Sequence, residues 1–409
     1  MHDFPHRRED AGAYVDAPPR CSLSSEWGNF TAVDVGNADA PVVMRRPRVK
    51  PEHAPYRISD GRIRIGGVSY GIAAEVKDPI GSVWTLLESM DGTCDVKEIV
   101  DRVVALHPAE SPASVHAGLC QFIASGYVED VAAPNPVELT ERDKQRYDRA
   151  HDYYRWLDLT PRTSTWEPQV KLHHARVTVV GIGGTGGVAA LALAASGVGH
   201  LHCVDPDVVE LSNLCRQILY TEDDIGIPKV DAAVARLRRL NSDIEISSER
   251  RRIGSIDDVV PLARDCDVLL LAADQPPEVR VWTNRACIAT HRPWVDAGYH
   301  GPLVQVGVYV PGTGACWECL RAAMHDQHNA LGANPTDAPD RGAAVAHAVA
   351  ATPAGMSGYL GAHQVIAVIT GVPAATPGQI QGVNLAALDA PFTQTDPKRP
   401  DCPACSATP

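Results

Sequence analysis

Several groups of residues in the chain have types and spacings that could do chemistry. Gly181-Ile182-Gly183-Gly184-Thr185-Gly186 fits the pattern G-x-G-x-x-G, after an apolar run (Val177–Val180) and before an apolar helix-like stretch. Glycines allow a tight turn and let backbone N–H groups approach phosphate oxygens, and the start of the next helix adds a favourable dipole. A second apolar run ends at Asp205, at the spacing where an acidic residue meets a ribose hydroxyl. These residues alone specify a mononucleotide or dinucleotide on a Rossmann-type unit. The next segment narrows the choice. Asp205-Pro206-Asp207-Val208-Val209-Glu210-Leu211-Ser212-Asn213-Leu214-Cys215-Arg216-Gln217 leads to Gly226-Ile227-Pro228-Lys229. A nicotinamide oxidoreductase has no use for the cations Arg216 and Lys229 here, whereas a site handling a triphosphate does, because charge develops on the phosphates during transfer. Asp274 follows a further apolar run, at the carboxyl edge of a sheet, where a carboxylate can hold Mg2+.

A second group is Cys316-Trp317-Glu318-Cys319 with Cys402-Pro403-Ala404-Cys405. Two C-x-x-C pairs can supply the four thiolates of a structural Zn2+ site, which leaves no open position for catalysis. The pairs are much farther apart than in a compact finger, so spacing alone leaves free or oxidised cysteines as an alternative. His325 and His328 read as ordinary loop histidines.

These residues need a framework. Residues 175–310 alternate strand and helix patterns, the mark of an α/β domain with a parallel sheet. Strands are predicted at 176–180, 199–205, 244–248 and 268–272, and helices at 186–196, 230–241 and 257–264. Glu141–Trp156 is a charged helix, 320–352 a long loop, and 358–370 an apolar helix. Upstream, three short strands with turns at Asp60-Gly61 and Gly66-Gly67 precede three helices and a closing strand at 127–131. The third helix begins at the cap Ser111-Pro112 and carries Val115, Leu119 and Phe122 on one face. This pattern predicts a small winged-helix-like α+β domain. It contains no Lys or Arg in its third helix, which disfavours DNA binding. The expected domains are an arm or linker over 1–52 (including Arg45–Pro51), the small domain over 53–133, and a large α/β domain over 134–409.

Composition sets the outer bounds. The chain has 409 residues, 44% hydrophobic and 21% charged, which is a globular composition. The net charge of −13 excludes a general nucleic-acid or anionic-membrane surface, so phosphate must be held locally. No apolar run reaches the ~20 residues of a membrane span, and the N-terminus has no signal-peptide core. A cytoplasmic location is expected. The 11 cysteines are then read as metal ligands before disulfides.

The ordered segments from about residue 141 to 405 resemble the ubiquitin-activating-type adenylating enzymes, the ThiF/MoeB/HesA superfamily. The resemblance rests on the glycine loop, the D-x-D-x-V-x-x-S-N-L-x-R-Q segment, the G-x-x-K, the later Asp and the two cysteine pairs. It implies a Rossmann-like adenylation domain with a mixed sheet, using ATP and Mg2+ and carrying a structural Zn2+. It also implies site residues. Gly181, Gly183, Gly184 and Gly186, with Asp207 and Gln217, line the nucleotide. Asp205 binds the ribose, Asn213, Arg216 and Lys229 bind the phosphates, and Asp274 binds Mg2+. Arg146-Tyr147-Asp148-Arg149 looks like the family's R-Y-x-R segment, whose last Arg reaches the partner's ATP across a homodimer; Arg149 is that candidate. Arg149, Arg216, Lys229 and Asp274 are the expected catalytic set. One departure is Gln275-Pro276 after Asp274, where relatives often have Asn.

Many relatives carry a sulfur-transferring or thioester-forming Cys between the two pairs, and this chain has none there. That argues against transfer through an enzyme thioester. The segment 56–131 resembles the PqqD-like domains that recognise leader peptides of ribosomally made peptides. An exposed strand edge at Val68–Ala73 would accept the peptide, with pockets from Val115, Leu119 and Phe122. The combined expectation is an enzyme that adenylates a carboxylate of a ribosomal precursor peptide, and that works with a downstream modification enzyme. The alternative is a non-catalytic scaffold presenting the leader to a partner such as a cyclodehydratase.

Overall fold

The computed structural model describes residues 22–23, 44–69, 71–330 and 348–406. The chain divides into two compact units, residues 1–134 with 159–164 and residues 135–158 with 165–409.

Among its described residues the first unit holds six short strands: β1 (Ser22–Leu23), β2 (Pro47–Val49), β3 (Tyr56–Arg57), β4 (Arg62–Ile65), β5 (Ala74–Lys77) and β6 (Val128–Asp130). Its helices are α1 (Ser82–Ser89), α2 (Val96–Leu106) and α3 (Pro112–Ala124). Asp95 caps α2 in a capping box with Glu98, and Ser111 caps α3 ahead of Pro112. The sheet order is β1-β5-β4-β3, while β6 pairs with β2. Ile63, Ile65 and Val76 pack with Leu86, Ile99, Val103 and the α3 face in one core.

Three expectations change here. Part of the stretch read as a linker is strand β2, because the Asp130 carboxylate accepts the backbone N–H groups of Arg45 and Arg46, and Glu129 pairs with Arg48. Among the described residues of the stretch Val68–Ala73, 68–69 and 71–73, there is no strand edge. They belong to the connection between β4 and β5, where Gly66, Gly67 and Gly71 all take positive φ and break the pleat. Val115, Leu119 and Phe122 form no pocket, because they are buried in the core beneath the sheet.

The second unit opens with α4 (Glu141–Leu157) and α5 (Glu167–His174). An alternating series follows: β7 (Arg176–Val180), α6 (Gly184–Ala195), β8 (His200–Val204), α7 (Lys229–Leu240), β9 (Glu245–Glu249), α8 (Ile256–Arg264), β10 (Val268–Leu271), α9 (Val279–Thr290) and β11 (Trp294–His300). Then come β12 (Leu303–Tyr309), α10 (Trp317–Ala330), α11 (Ala351–Thr370), β13 (Gln379–Asn384) and β14 (Ala387–Thr395). The eight-stranded sheet runs β14-β13-β12-β11-β10-β7-β8-β9. The five strands β11, β10, β7, β8 and β9 are parallel, and β12–β14 add antiparallel to that edge. The α/β Rossmann-like class with a mixed sheet is thus observed. The region read as one long loop from 320 begins instead inside α10, which carries His325, and residues 331–347 lie outside the described residues.

The chain reverses direction between β7 and β10. From β7 it winds outward to β8 and β9, then crosses back to β10 and β11. Ligands in open α/β sheets bind at the carboxyl ends of the strands flanking such a switch. One face is covered by α6 and α11, which approach closely because Gly358 sits on Thr185 and Val188. A hydroxyl pair, Thr185–Ser357 at 2.7 Å, crosses that contact. Among the described residues no helix is long and apolar enough to cross a membrane.

Leu270 is fully buried in the main core, against the strands and α11. Leu270→Ala is expected to cost about 2–5 kcal/mol in urea unfolding. A loss below ~1 kcal/mol would show that this layer is not tightly packed.

Candidate active site and metal centre

The glycine loop leaves β7 at Gly181, which takes φ +88 and lies where a Cβ would come within 2.9 Å of the Ala272 carbonyl. At Gly186 a Cβ would stand 1.8 Å from the Gly181 carbonyl oxygen. Only glycine fits these two places. Gly183 caps α6 with no side-chain bond to the helix, so the first N–H groups of α6 open onto the strand ends. Gly184 lies against Ala354 and the Arg216 carbonyl, and Gly183 faces the Gln217 amide. The loop is fixed from below by Tyr220, whose hydroxyl donates to the Ile182 carbonyl at 2.7 Å.

Asp205 directly follows β8 and is buried. Its carboxylate accepts the Ile182 N–H at 2.8 Å and the Asp207 N–H at 2.9 Å. Lys229, the first residue of α7, is buried beside it, with Nζ 3.0 Å from Asp207 and 3.8 Å from Asp205. Asn213 is buried, and its amide oxygen accepts the Glu210 N–H at 3.1 Å. Arg216 is half-buried and donates from Nη1 to the Ser212 carbonyl at 3.0 Å. Among the described residues the buried amide oxygen of Gln217 has no hydrogen-bond partner, an acceptor left for something at the loop. Asp274 is exposed in the loop after β10, and Gln275-Pro276 beside it is a cis peptide. Tyr299, on β11, feels the charges of Arg216 and Asp274, although burial sets its phenol's rise. The glycine loop, Asp205, Arg216, Lys229 and Asp274 therefore gather at the carboxyl ends of β7, β8 and β10. Arg149 is different. It is 92% exposed on α4, and among the described residues it pairs with Asp148 and Asp152, at 3.9 and 3.8 Å.

The sequence reading missed residues on the far side of Asp274. Arg280, on α9, donates from Nε to both oxygens of the buried Asp296, at 3.1 and 3.0 Å. Burial pushes the Asp296 carboxyl up, and Arg280 and Trp317 oppose that rise. The one signal in the sequence was an arginine shortly after Asp274, which periodicity alone does not separate from a surface residue.

The four cysteines do converge. Their sulfurs all lie within 4.8 Å of one another and all four residues are buried. Sγ separations are 3.8 Å for Cys316–Cys319, 3.6 Å for Cys316–Cys402 and 3.5 Å for Cys319–Cys405. A tetrahedron with Zn–S bonds of about 2.3 Å has edges of about 3.8 Å, whereas a disulfide is about 2.05 Å. The geometry fits zinc. Asn284 Nδ2 and the Arg399 N–H lie 3.5 and 3.4 Å from the Cys316 and Cys319 sulfurs, donors that orient thiolates. Glu318 between the ligands is held by Arg285 at 3.0 Å. Bound zinc would join the start of α10 to the C-terminal segment. The purified chain is expected to carry one zinc per molecule by plasma emission. Cys402→Ser should remove it and lower Tm by about 4–8 °C, the shift for ~2 kcal/mol in a unit of this size. Full zinc content in that variant would contradict the four-thiolate site.

The ThiF family pattern matches residues 158–404. The chain is 40% identical over 152 residues to the adenylyltransferase and sulfurtransferase MOCS3 of Culex quinquefasciatus, covering 37% of this chain and 34% of that protein. It is 31% identical over 300 residues to MOCS3 of Drosophila persimilis, covering 73% and 62%. This chain thus spans 34% to 62% of the length of these two relatives. Among solved structures, Escherichia coli MccB with succinimide superposes with a TM-score of 0.68 at 22% identity, over 88% of this chain and 99% of MccB. PaaA superposes with a TM-score of 0.63 at 23% identity, over 85% and 99%. At those identities the structural likeness is one of fold. The family pattern, by contrast, covers more than half of the chain, and the chain belongs to the ThiF family.

Proposed function

We propose that the chain is an ATP-dependent adenylyltransferase. Its substrate is a carboxylate of a ribosomally synthesised precursor peptide, activated during maturation of a peptide natural product. The observation that carries the reading is the gathering of the glycine loop, Asp205, Arg216 and Asp274 at one end of the parallel strands. A carboxylate oxygen of the peptide attacks the α-phosphorus of ATP, the bond to the β-phosphate breaks, and pyrophosphate leaves with the electron pair. The N–H groups at the start of α6 cradle phosphate oxygens. Asp205 takes the ribose hydroxyls, with Asp207 beside it. Asn213, Arg216, Gln217 and Lys229 line the phosphates, and Lys229 exchanges part of its pairing with Asp207 for phosphate oxygen. Asp274 would hold Mg2+, which would supply neutralisation of the phosphate charge.

The solved MccB structures support this reading. They include complexes with ATP and with N-formylated MccA, and MccB is described as a Microcin C7 biosynthetic enzyme. We assign leader recognition to the PqqD-like domain, residues 53–133. In that unit β5 already takes up a two-residue extended segment of its own chain, β1, in parallel register (Ser22 with Glu75, Leu23 with Val76). This is the physical form of strand addition. The exposure of Arg149 supports a homodimer in which it serves the partner's nucleotide. The MOCS3 relatives favour a second reading, in which the adenylate passes to sulfur; the lack of any cysteine between Cys319 and Cys402 weighs against it.

The test is ATP–pyrophosphate exchange with synthetic peptides made for the short open reading frames beside the gene. Exchange should require peptide and Mg2+, and Asp274→Ala and Arg216→Ala should lower it about 100-fold or more, the usual scale for lost transition-state charge contacts. Unchanged exchange in those variants would overturn the assignment. Arg149→Ala should also be inactive. Mixed with inactive Asp274→Ala, it should regain exchange through heterodimers that carry one intact site. No recovery would remove the cross-dimer role.

A further inference from the structure

A buried polar chain leads from the cysteine cluster to the far side of the adenylation site. Trp317 lies between the ligands Cys316 and Cys319, and its side chain is close enough to Asp296 to favour the ionised carboxylate. The indole N–H is its only donor. Asp296 in turn grips Arg280 through Nε alone. Among the described residues the two Nη groups of Arg280 have no hydrogen-bond partner. Their end lies over Gly298, where even a Cβ would stand 3.8 Å from Nη2. Gly298 follows Asp296 by two positions on β11 and so shares its face, nearer the carboxyl end. Asp274 is close enough to act on the Arg280 charge.

The strand order gives this place its meaning. The glycine loop and Asp205 follow β7 and β8, Asp274 follows β10, and Arg280 stands over β11 on the other side. Strand spacing of about 4.8 Å puts β11 roughly 14 Å from β8, beyond the nucleoside end of the site. A guanidinium held by one edge, with its other donors free, is built to take an oxyanion. Because the phosphate-lining groups lie on the β7–β8 side, the oxygen that reaches Arg280 comes from the acyl side.

We propose that Arg280 receives the acyl oxygen of the carboxylate being adenylated, and that Asp296 and Trp317 are positioning residues holding it from the side of the cysteine cluster. This rests on the adenylation reading above. As one carboxylate oxygen bonds to the α-phosphorus and pyrophosphate departs, the other oxygen becomes the carbonyl of the mixed anhydride. Arg280 donates to that oxygen throughout and gives up no proton.

The experiment uses the full zinc-loaded chain and two probes in isothermal titration: 5′-O-sulfamoyladenosine, and its N-glycyl derivative, which adds the acyl oxygen. The wild type should bind the acylated compound about tenfold or more tightly than the bare sulfamate, and Arg280→Gln should erase most of that gain while changing the bare-sulfamate affinity by less than about twofold. Asp296→Asn should lose part of the gain with Arg280 still present, and Trp317→Phe should do so while keeping its zinc. If Arg280→Gln does not fold, Arg280→Lys, which keeps the charge but not the Nε bond, should show the same selective loss. Equal loss for both compounds, or loss for neither, would overturn the proposal. A wild type that binds neither compound would instead overturn the adenylation reading beneath it.

Discussion

The carboxylate of Asp205 is the fixed point of the site. It is buried at the end of β8, yet it accepts two backbone N–H groups, from Ile182 in the glycine loop and from Asp207 in the next segment. A buried carboxylate is costly unless it is hydrogen-bonded or paired. Here both bonds fall on backbone, and Lys229 adds a cation 3.8 Å away. One side chain thereby ties the loop after β7, the turn after β8 and the start of α7 into one body. The steric limits at Gly181 and Gly186 and the Tyr220 bond to Ile182 complete that body, leaving the α6 N–H groups facing outward.

A second polymer-scale constraint comes from the cysteines. Two pairs far apart in the chain meet because β13 and β14 extend the sheet past β12 and return the C-terminal segment beside α10. Thiolates at tetrahedral separations, with donors from Asn284 and Arg399, explain how a region with so little regular structure is held. The same cluster borders Trp317, so the framework that holds the C-terminus also adjoins the Asp296–Arg280 pair.

Much of this was legible in the residues. The apolar runs before Gly181, Asp205 and Asp274 marked parallel strands, and the glycines marked the phosphate turn, because both signals are local. The Ser111 cap of α3 was legible for the same reason. What was missed depends on distant contacts. Val115, Leu119 and Phe122 could have lined a groove or filled a core, and only the strands packed on them decide for the core. Val68–Ala73 had strand-like side chains, but three glycines with positive φ break the pleat there. Arg280 and Asp296 lie on different elements, so no spacing announces their pairing. The resemblance implied a mixed sheet, but the places of the antiparallel strands β12–β14 were not read from the residues, because these strands are tied together by pairing rather than by a distinctive pattern.

The central claim is that a peptide carboxylate attacks the α-phosphate of ATP in this site. It is tested most directly by turning over precursor peptide whose carboxyl groups carry 18O and following the label by mass spectrometry. The account predicts one 18O atom in AMP once the adenylate is captured, with unlabelled pyrophosphate. Label in inorganic phosphate, the mark of attack on the γ-phosphate, or label in neither product would contradict it.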